Sequence, residues 1–278
     1  MRLATLRTAS GTEAVRVDEA TVTVIENVAD VGALLALPDW AAVARGASGP
    51  TRPLPAAGPE HWAPVVPHPS KIVCVGLNYA NHIREMGREL PEHPTLFAKY
   101  PEALIGPYDP IVVPAYAAEA VDWEGELAIV IGTPAHRLSP GAAAHAIAGY
   151  SVLNDVTMRD YQYRTPEWFQ GKTFEATTPF GPWLVTADEF ELVGELRTEV
   201  DGETVQRTTV DDLVFSPADL VSYISHIVTL RPGDVIASGT PGGVGHARKP
   251  PRYLARGNVL TTTIEGIGSI SSAFAVEG

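Results

Sequence analysis

Asp122, Glu124 and Glu126 alternate along the chain and lead straight into the apolar run 128–131. Such a run reads as a buried strand, and alternate side chains of a strand share a face. Three carboxylates on one face, at the lip of a hydrophobic strand, repel one another and are costly to desolvate. A divalent cation relieves both costs, and carboxylate oxygens are the ligands that hard cations such as Mg²⁺ and Mn²⁺ select. A solvated acidic strand end is the alternative for this stretch taken alone. Asp155 follows a second apolar run, 150–153, and is a further acid at the end of a strand. His82 and Glu85 stand three residues apart, on one face if their segment is helical. A carboxylate beside an imidazole fixes its tautomer and raises its basicity, as a general base requires. A solvated His–Glu pair on a surface helix is the bland alternative. Residues 238–245, Ser-Gly-Thr-Pro-Gly-Gly-Val-Gly, form a loop whose backbone N–H groups can cradle an anion. Their spacing fits neither a phosphate-binding Walker loop nor a dinucleotide fingerprint, and no serine-nucleophile elbow is present.

The elements that must position these residues are mostly short strands. Residues 71–76 read as a strand ending in a turn that delivers the His82 segment, and Pro91 and Pro94 close that segment as a flap. Further strands are expected at 95–99, 111–113 and 150–153, with a helix over 142–148. A helical turn after Asp155 would bring Arg159 and Gln162 to one face. Asp201–Gly202 is a type I′ hairpin signal between strands 196–200 and 204–209. Ser216–Pro217 with Asp219 starts a helix that should reach about residue 230. Strands at 234–237, 259–264 and 269–276 complete the chain. Before residue 46, three short strands and a helix capped by Asp30 are expected. Seven prolines between residues 46 and 69 exclude regular helix and sheet interiors there. A boundary is therefore placed in this stretch, dividing a small N-terminal α+β module with its linker, residues 1–66, from a main domain, 67–278.

The chain has 278 residues, 45% of them hydrophobic, enough for a sizeable core. Its net charge of −13 argues against nucleic acid or an anionic membrane as partner. The single cysteine, Cys74, lies in an apolar run and allows neither an internal disulfide nor a thiolate cluster. No apolar run is long enough to span a bilayer and none reads as a signal peptide, so a cytoplasmic protein is expected.

Five ordered blocks resemble the fumarylacetoacetate hydrolase superfamily, its acylpyruvate hydrolase and 2-hydroxyhepta-2,4-diene-1,7-dioate isomerase-like branch. They are Val-Gly-Leu-Asn-Tyr at 75–79 with His82 and Glu85; Asp122 with Glu124 and Glu126; Asn-Asp-Val-Thr at 154–157 with Arg159, Asp160 and Gln162; Gly-Lys-Thr-Phe at 171–174; and Gly-Thr-Pro-Gly-Gly-Val-Gly at 239–245. The resemblance spans roughly residues 69–268. It implies a β-rich α+β fold built on a rolled, mixed β-sheet, and a homodimer. It implies Glu124, Glu126 and Asp155 as ligands of Mg²⁺ or Mn²⁺, with Asp122 supporting them rather than binding metal. By the same resemblance His82 and Glu85 are a water-activating dyad on a flap, and Lys172 is the cationic group beside the metal. Arg159, Gln162, Gly239 and Thr240 correspond to substrate contacts. Glu175 stands where many relatives carry aspartate, which bears on the loop after Lys172.

The implied substrate is a small 2-oxo acid that chelates the cation through its carboxylate and keto oxygen. The expected reaction is hydrolysis of the C3–C4 bond of an acylpyruvate or fumarylpyruvate-like 2,4-dioxo acid, giving pyruvate and a carboxylic acid. Oxaloacetate decarboxylation and isomerisation or hydration of an unsaturated 2-oxo diacid are the alternatives that use the same electron sink. A ligand-binding protein that keeps the cage without turnover, and a structural Ca²⁺ protein, are the non-enzyme alternatives.

Overall fold

The computed structural model describes residues 1–85 and 89–278, leaving aside the side chains of His82, Arg84 and Glu85. The sequence-based roles of His82 and Glu85 therefore lie outside the described residues.

Strands are the commonest regular elements among the described residues, and the helices between them are short. An eleven-stranded mixed sheet packs beside a five-stranded one, with a two-stranded ribbon at the site. The central strand, Gly125–Ile131, is buried along its whole length. Leu127, Ile129 and Ile131 pack on one side, with Leu220, Val221 and Ile224 of the helix Pro217–Ile227. Ala128 and Val130 pack on the other, with Val31, Leu34 and Leu35 around the helix Val31–Leu35. A strand covered on both faces must be apolar at every position, which is why run 128–131 is continuous rather than alternating.

The N-terminal segment adds strands to the main sheet. Strand Arg2–Thr8 pairs antiparallel with Thr178–Thr186, placing Leu3 opposite Leu184. Gly11–Val17, Thr21–Val24 and Thr51–Pro53 extend the sheet from there to its edge. Pro53 is tolerated because it sits on that edge strand. Leu3, Ala14 and Val31 share one apolar cluster with Ala128, Leu184 and Val235.

Several boundaries follow the local chemistry. Asp30 accepts a hydrogen bond from Ala33 N at 2.8 Å and caps its helix. Asp201 and Gly202 both take positive φ, 53° and 81°, as a type I′ turn demands. Ser216 and Asp219 form a capping box behind Pro217. That helix stops at Ile227 rather than near residue 230, because Val228 and Thr229 are β-branched and Leu230 bridges to Ala135. The helix expected over 142–148 is instead Pro140–Ala144, capped by Ser139, and Ile147 already opens the strand Ile147–Asn154. Helix Trp40–Arg45 was not expected from the sequence.

Candidate functional site

The acidic cluster is built by strand register. Gly125–Ile131 and Ile147–Asn154 run antiparallel with Gly125 opposite Asn154 and Glu126 opposite Leu153. Glu124 and Glu126 thus meet Asp155 at one end of the sheet. Asp155 N donates to Glu124 O at 2.8 Å, and Glu124 N donates to the Asn154 side chain at 3.0 Å, locking the two strand ends together. One carboxylate oxygen each from Glu124, Glu126 and Asp155 lies within 4.8 Å of the others, and all three residues are buried. Glu126 takes one hydrogen bond, from Gly239 N at 2.9 Å. Burial, with Asp155 and Glu124 adding repulsion, pushes its carboxyl well above the usual range. A buried all-oxygen donor set with an under-compensated member fits a hard divalent cation.

Three buried cations share the same carboxylates. Lys172 Nζ lies 2.5 Å from Glu124 Oε2 and 2.9 Å from Asp155 Oδ2. Burial opposes its charge, but Asp155 and Glu124 outweigh that and hold the ammonium above its ordinary range. Lys99 Nζ stands 2.8 Å from Asp155 Oδ1, an ion pair whose alignment falls short of a hydrogen bond. It donates to Thr178 Oγ1 at 2.9 Å and to the Lys172 carbonyl. Burial opposes the charge on Asp155 too, yet Lys172 and Lys99 together lower its carboxyl below the usual value. Arg159 Nε donates to Asp122 Oδ2 at 2.8 Å, and its Nη1 reaches Glu124 Oε1 and Gln162 Oε1, each at 2.8 Å.

Asp122 does not join the cluster as a third co-facing strand acid. The strand breaks at Trp123–Glu124, and Asp122 belongs to a separate pair, Val121–Asp122 against Thr157–Met158. Its oxygens accept from Gly245 N at 2.7 Å and His246 N at 2.9 Å as well as from Arg159. The glycine-rich loop therefore cradles the protein's own carboxylates, Gly239 serving Glu126 and Gly245 serving Asp122. Gly239 sits at φ 102°, where an added Cβ would come within 3.0 Å of the Val75 carbonyl and Asn78 Cβ. Gln206 ties the loop down, accepting from Gly125 N at 3.0 Å and donating to Thr240 Oγ1 at 2.8 Å.

Over this cluster opens a cavity of about 300 Å³. Glu124, Lys172, Arg159 and Gln162 line its polar part, and Phe97, Trp168 and Val244 its apolar wall. A deep carboxylate cage with ammonium and guanidinium groups, under a half-apolar cavity, can bind a small anion to a metal and stabilise negative charge that develops on it.

Residues 71–275 match the fumarylacetoacetate (FAA) hydrolase C-terminal family. The chain belongs to the fumarylacetoacetate hydrolase superfamily. It is 41% identical over 232 residues to the mitochondrial oxaloacetate tautomerase Fahd2a of Rattus norvegicus, covering 82% of this chain and 74% of the relative. The human mitochondrial oxaloacetate tautomerase FAHD2A is 42% identical over 221 residues, 78% of this chain and 70% of the relative. Among solved structures, the fumarylacetoacetate hydrolase of psychrophilic Exiguobacterium antarcticum superposes with a TM-score of 0.87 at 32% identity. The 5-carboxymethyl-2-hydroxymuconate delta-isomerase of Mycobacterium smegmatis superposes at 0.81 with 35% identity; both alignments cover the whole of each chain. The mixed, mostly β architecture is that of the superfamily, and the protein is a superfamily enzyme.

Within this superfamily enzyme, Glu124, Glu126, Asp155, Lys172, Arg159 and Gln162 come together in one place, with Gly239 and Thr240 on the adjoining loop. Glu175 is exposed and leaves the Lys172 contacts intact. Reasoning from sequence missed Lys99 and Gln206 as parts of the site. Lys99 ends an otherwise apolar strand, Thr95–Lys99, and a lysine closing a strand was the available signal. Glu126→Gln is expected to weaken Mg²⁺ binding to the purified protein by calorimetric titration, because an amide supplies less charge to a hard cation. Unchanged affinity would remove Glu126 from the ligand set.

Proposed function

We propose that the enzyme enolises a small 2-oxo acid bearing a second carboxylate, with oxaloacetate the first substrate to test and Mg²⁺ or Mn²⁺ held by Glu124, Glu126 and Asp155. The observation that carries this reading is the Lys172 ammonium, bridging Glu124 and Asp155 at the floor of the cavity. Relatives at 41% and 42% identity that are named oxaloacetate tautomerases support the choice of substrate. A bound divalent cation supplies Lewis-acid stabilisation of negative charge on the 2-oxo oxygen. Lys172, kept charged by its two carboxylates, donates a hydrogen bond to that oxygen and stabilises the enolate electrostatically. Arg159 holds Glu124 and Gln162 in place, while Phe97, Trp168 and Val244 keep water from the apolar side. In this reading a general base, the role the sequence offers to His82, takes the C3 proton, the C–H electron pair becomes the C2–C3 double bond, and a proton reaches the oxygen to give the enol.

Hydrolysis of an acylpyruvate is the second reading. The Exiguobacterium antarcticum neighbour, a fumarylacetoacetate hydrolase, and the His82–Glu85 pair in the sequence favour it. There water adds to the C4 carbonyl, the C3–C4 bond breaks, and its electron pair enters the pyruvate enolate. Three rates on the wild-type enzyme at one Mg²⁺ concentration separate the readings: keto–enol interconversion of oxaloacetate, CO₂ release from oxaloacetate, and cleavage of acetylpyruvate. Fastest keto–enol interconversion is the expected result. Faster cleavage of acetylpyruvate would transfer the assignment to the hydrolase, and faster CO₂ release to a decarboxylase.

A further inference from the structure

The cavity's deep cations are already engaged. Lys172 faces Glu124 and Asp155, and Arg159 faces Asp122, Glu124 and Gln162. Among the described lining residues, no unpaired cation remains for a second carboxylate. At the rim the cavity is lined instead by Tyr163 and His246. The His246 backbone is fixed, its N–H donated to the same Asp122 that holds Arg159. Its ring is fixed as well, with Nδ1 2.9 Å from the Tyr253 hydroxyl and the Tyr163 ring 5.1 Å away at 31°. Burial, with Arg159 next, lowers the pKa of this imidazole and favours its neutral form. In the tautomer in which the Tyr253 hydroxyl donates to Nδ1, the ring proton of the neutral imidazole is on Nε2. It is then a hydrogen-bond donor at the rim of the cavity that holds the acid cluster.

We propose that His246, oriented by Tyr253 and Tyr163, is a specificity-determining residue that donates to the distal carboxylate of a 2-oxo diacid. This rests on the reading that the head of a 2-oxo acid binds over Glu124, Glu126 and Asp155. It goes further by dividing the recognition: the cluster takes the 2-oxo acid head shared by all candidate substrates, and the rim selects diacid over monoacid. Asp122 couples the two parts, since one carboxylate positions both Arg159 and the His246 backbone.

The test is calorimetric titration of Mg²⁺-loaded protein with oxaloacetate and, separately, with pyruvate, which has the head and lacks the distal carboxylate. Wild type should bind oxaloacetate the more tightly, by roughly tenfold, as for one hydrogen bond to a charged group at a partly exposed site. His246→Leu should abolish that preference and leave pyruvate within about twofold, while His246→Gln, which keeps a donor, should recover part of it. Thermal melting confirms that both variants are folded. A preference for oxaloacetate that survives in His246→Leu would overturn the proposal, as would an equal loss for both ligands. Failure of pyruvate to bind wild type would overturn the head-group reading and this inference with it. Retained diacid preference in a wild type that shows no enolisation would sink only the proposed chemistry.

Discussion

Lys172→Met should lower the rate of enolisation by about 10²–10³-fold, the range for loss of one positioned donor to a developing oxyanion. The side chain is of similar length, is buried beside Phe97, and removes only the ammonium. The ammonium faces Glu124 at 2.5 Å and Asp155 at 2.9 Å, so its loss also leaves those carboxylates less compensated. Divalent metal should therefore bind the variant more tightly than wild type even as turnover falls. That opposition separates a functional lysine from a structural one, since simple damage to the site would weaken both. Lys172→Arg should not restore the rate, because a planar guanidinium cannot occupy the place of a compact ammonium between two carboxylates. Metal titration and kcat on the same preparations check the expectation.

Asp155→Asn should destabilise the metal-free protein by about 3–5 kcal/mol, the cost of breaking a buried pair from one side. Lys99 is 1% exposed and Lys172 2%, and Asp155 is the carboxylate they share. Removing its charge leaves Lys99 with only Thr178 Oγ1 and the Lys172 carbonyl, neither of them anionic. Urea unfolding without metal gives the number directly, and measuring without metal keeps lost ligation out of the comparison. As a control, Asp188→Asn, which breaks the exposed pair with Arg45, should move stability by less than about 1 kcal/mol. A change for Asp155→Asn as small as the control's would mean that water reaches Lys99.

The strands and the site were legible in the sequence to different depths. Gly125–Ile131 and Ile147–Asn154 announced themselves as apolar runs because both of their faces are covered. Caps and turns were legible because Asp30, Ser216 and Asp201–Gly202 act on their immediate neighbours. The register that brings Glu124 opposite the Asn154–Asp155 end was not, since pairing depends on residues far apart in sequence. Lys99 was illegible for the same reason: only the fold brings the end of an apolar strand against Asp155 and the Lys172 carbonyl. The alternation alone put Asp122 on one face with Glu124 and Glu126 because it assumed a continuous strand, whereas the family resemblance already gave it a supporting role. The partners of Asp122 include Arg159 and the backbone of Gly245 and His246, the last two more than a hundred residues away. Likewise, the N-terminal prolines pointed to a division between modules, while the pairing of Leu3 with Leu184 shows how the first segment joins the main sheet.

The most direct single measurement is the rate of keto–enol interconversion of oxaloacetate by wild-type protein, followed by ultraviolet absorbance after chelation and again after Mg²⁺ is restored. The expected result is a catalysed rate that disappears with the chelator and returns with the metal. Catalysis that persists in fully metal-free protein would contradict a metal-assisted enolisation centred on Glu124, Glu126 and Asp155.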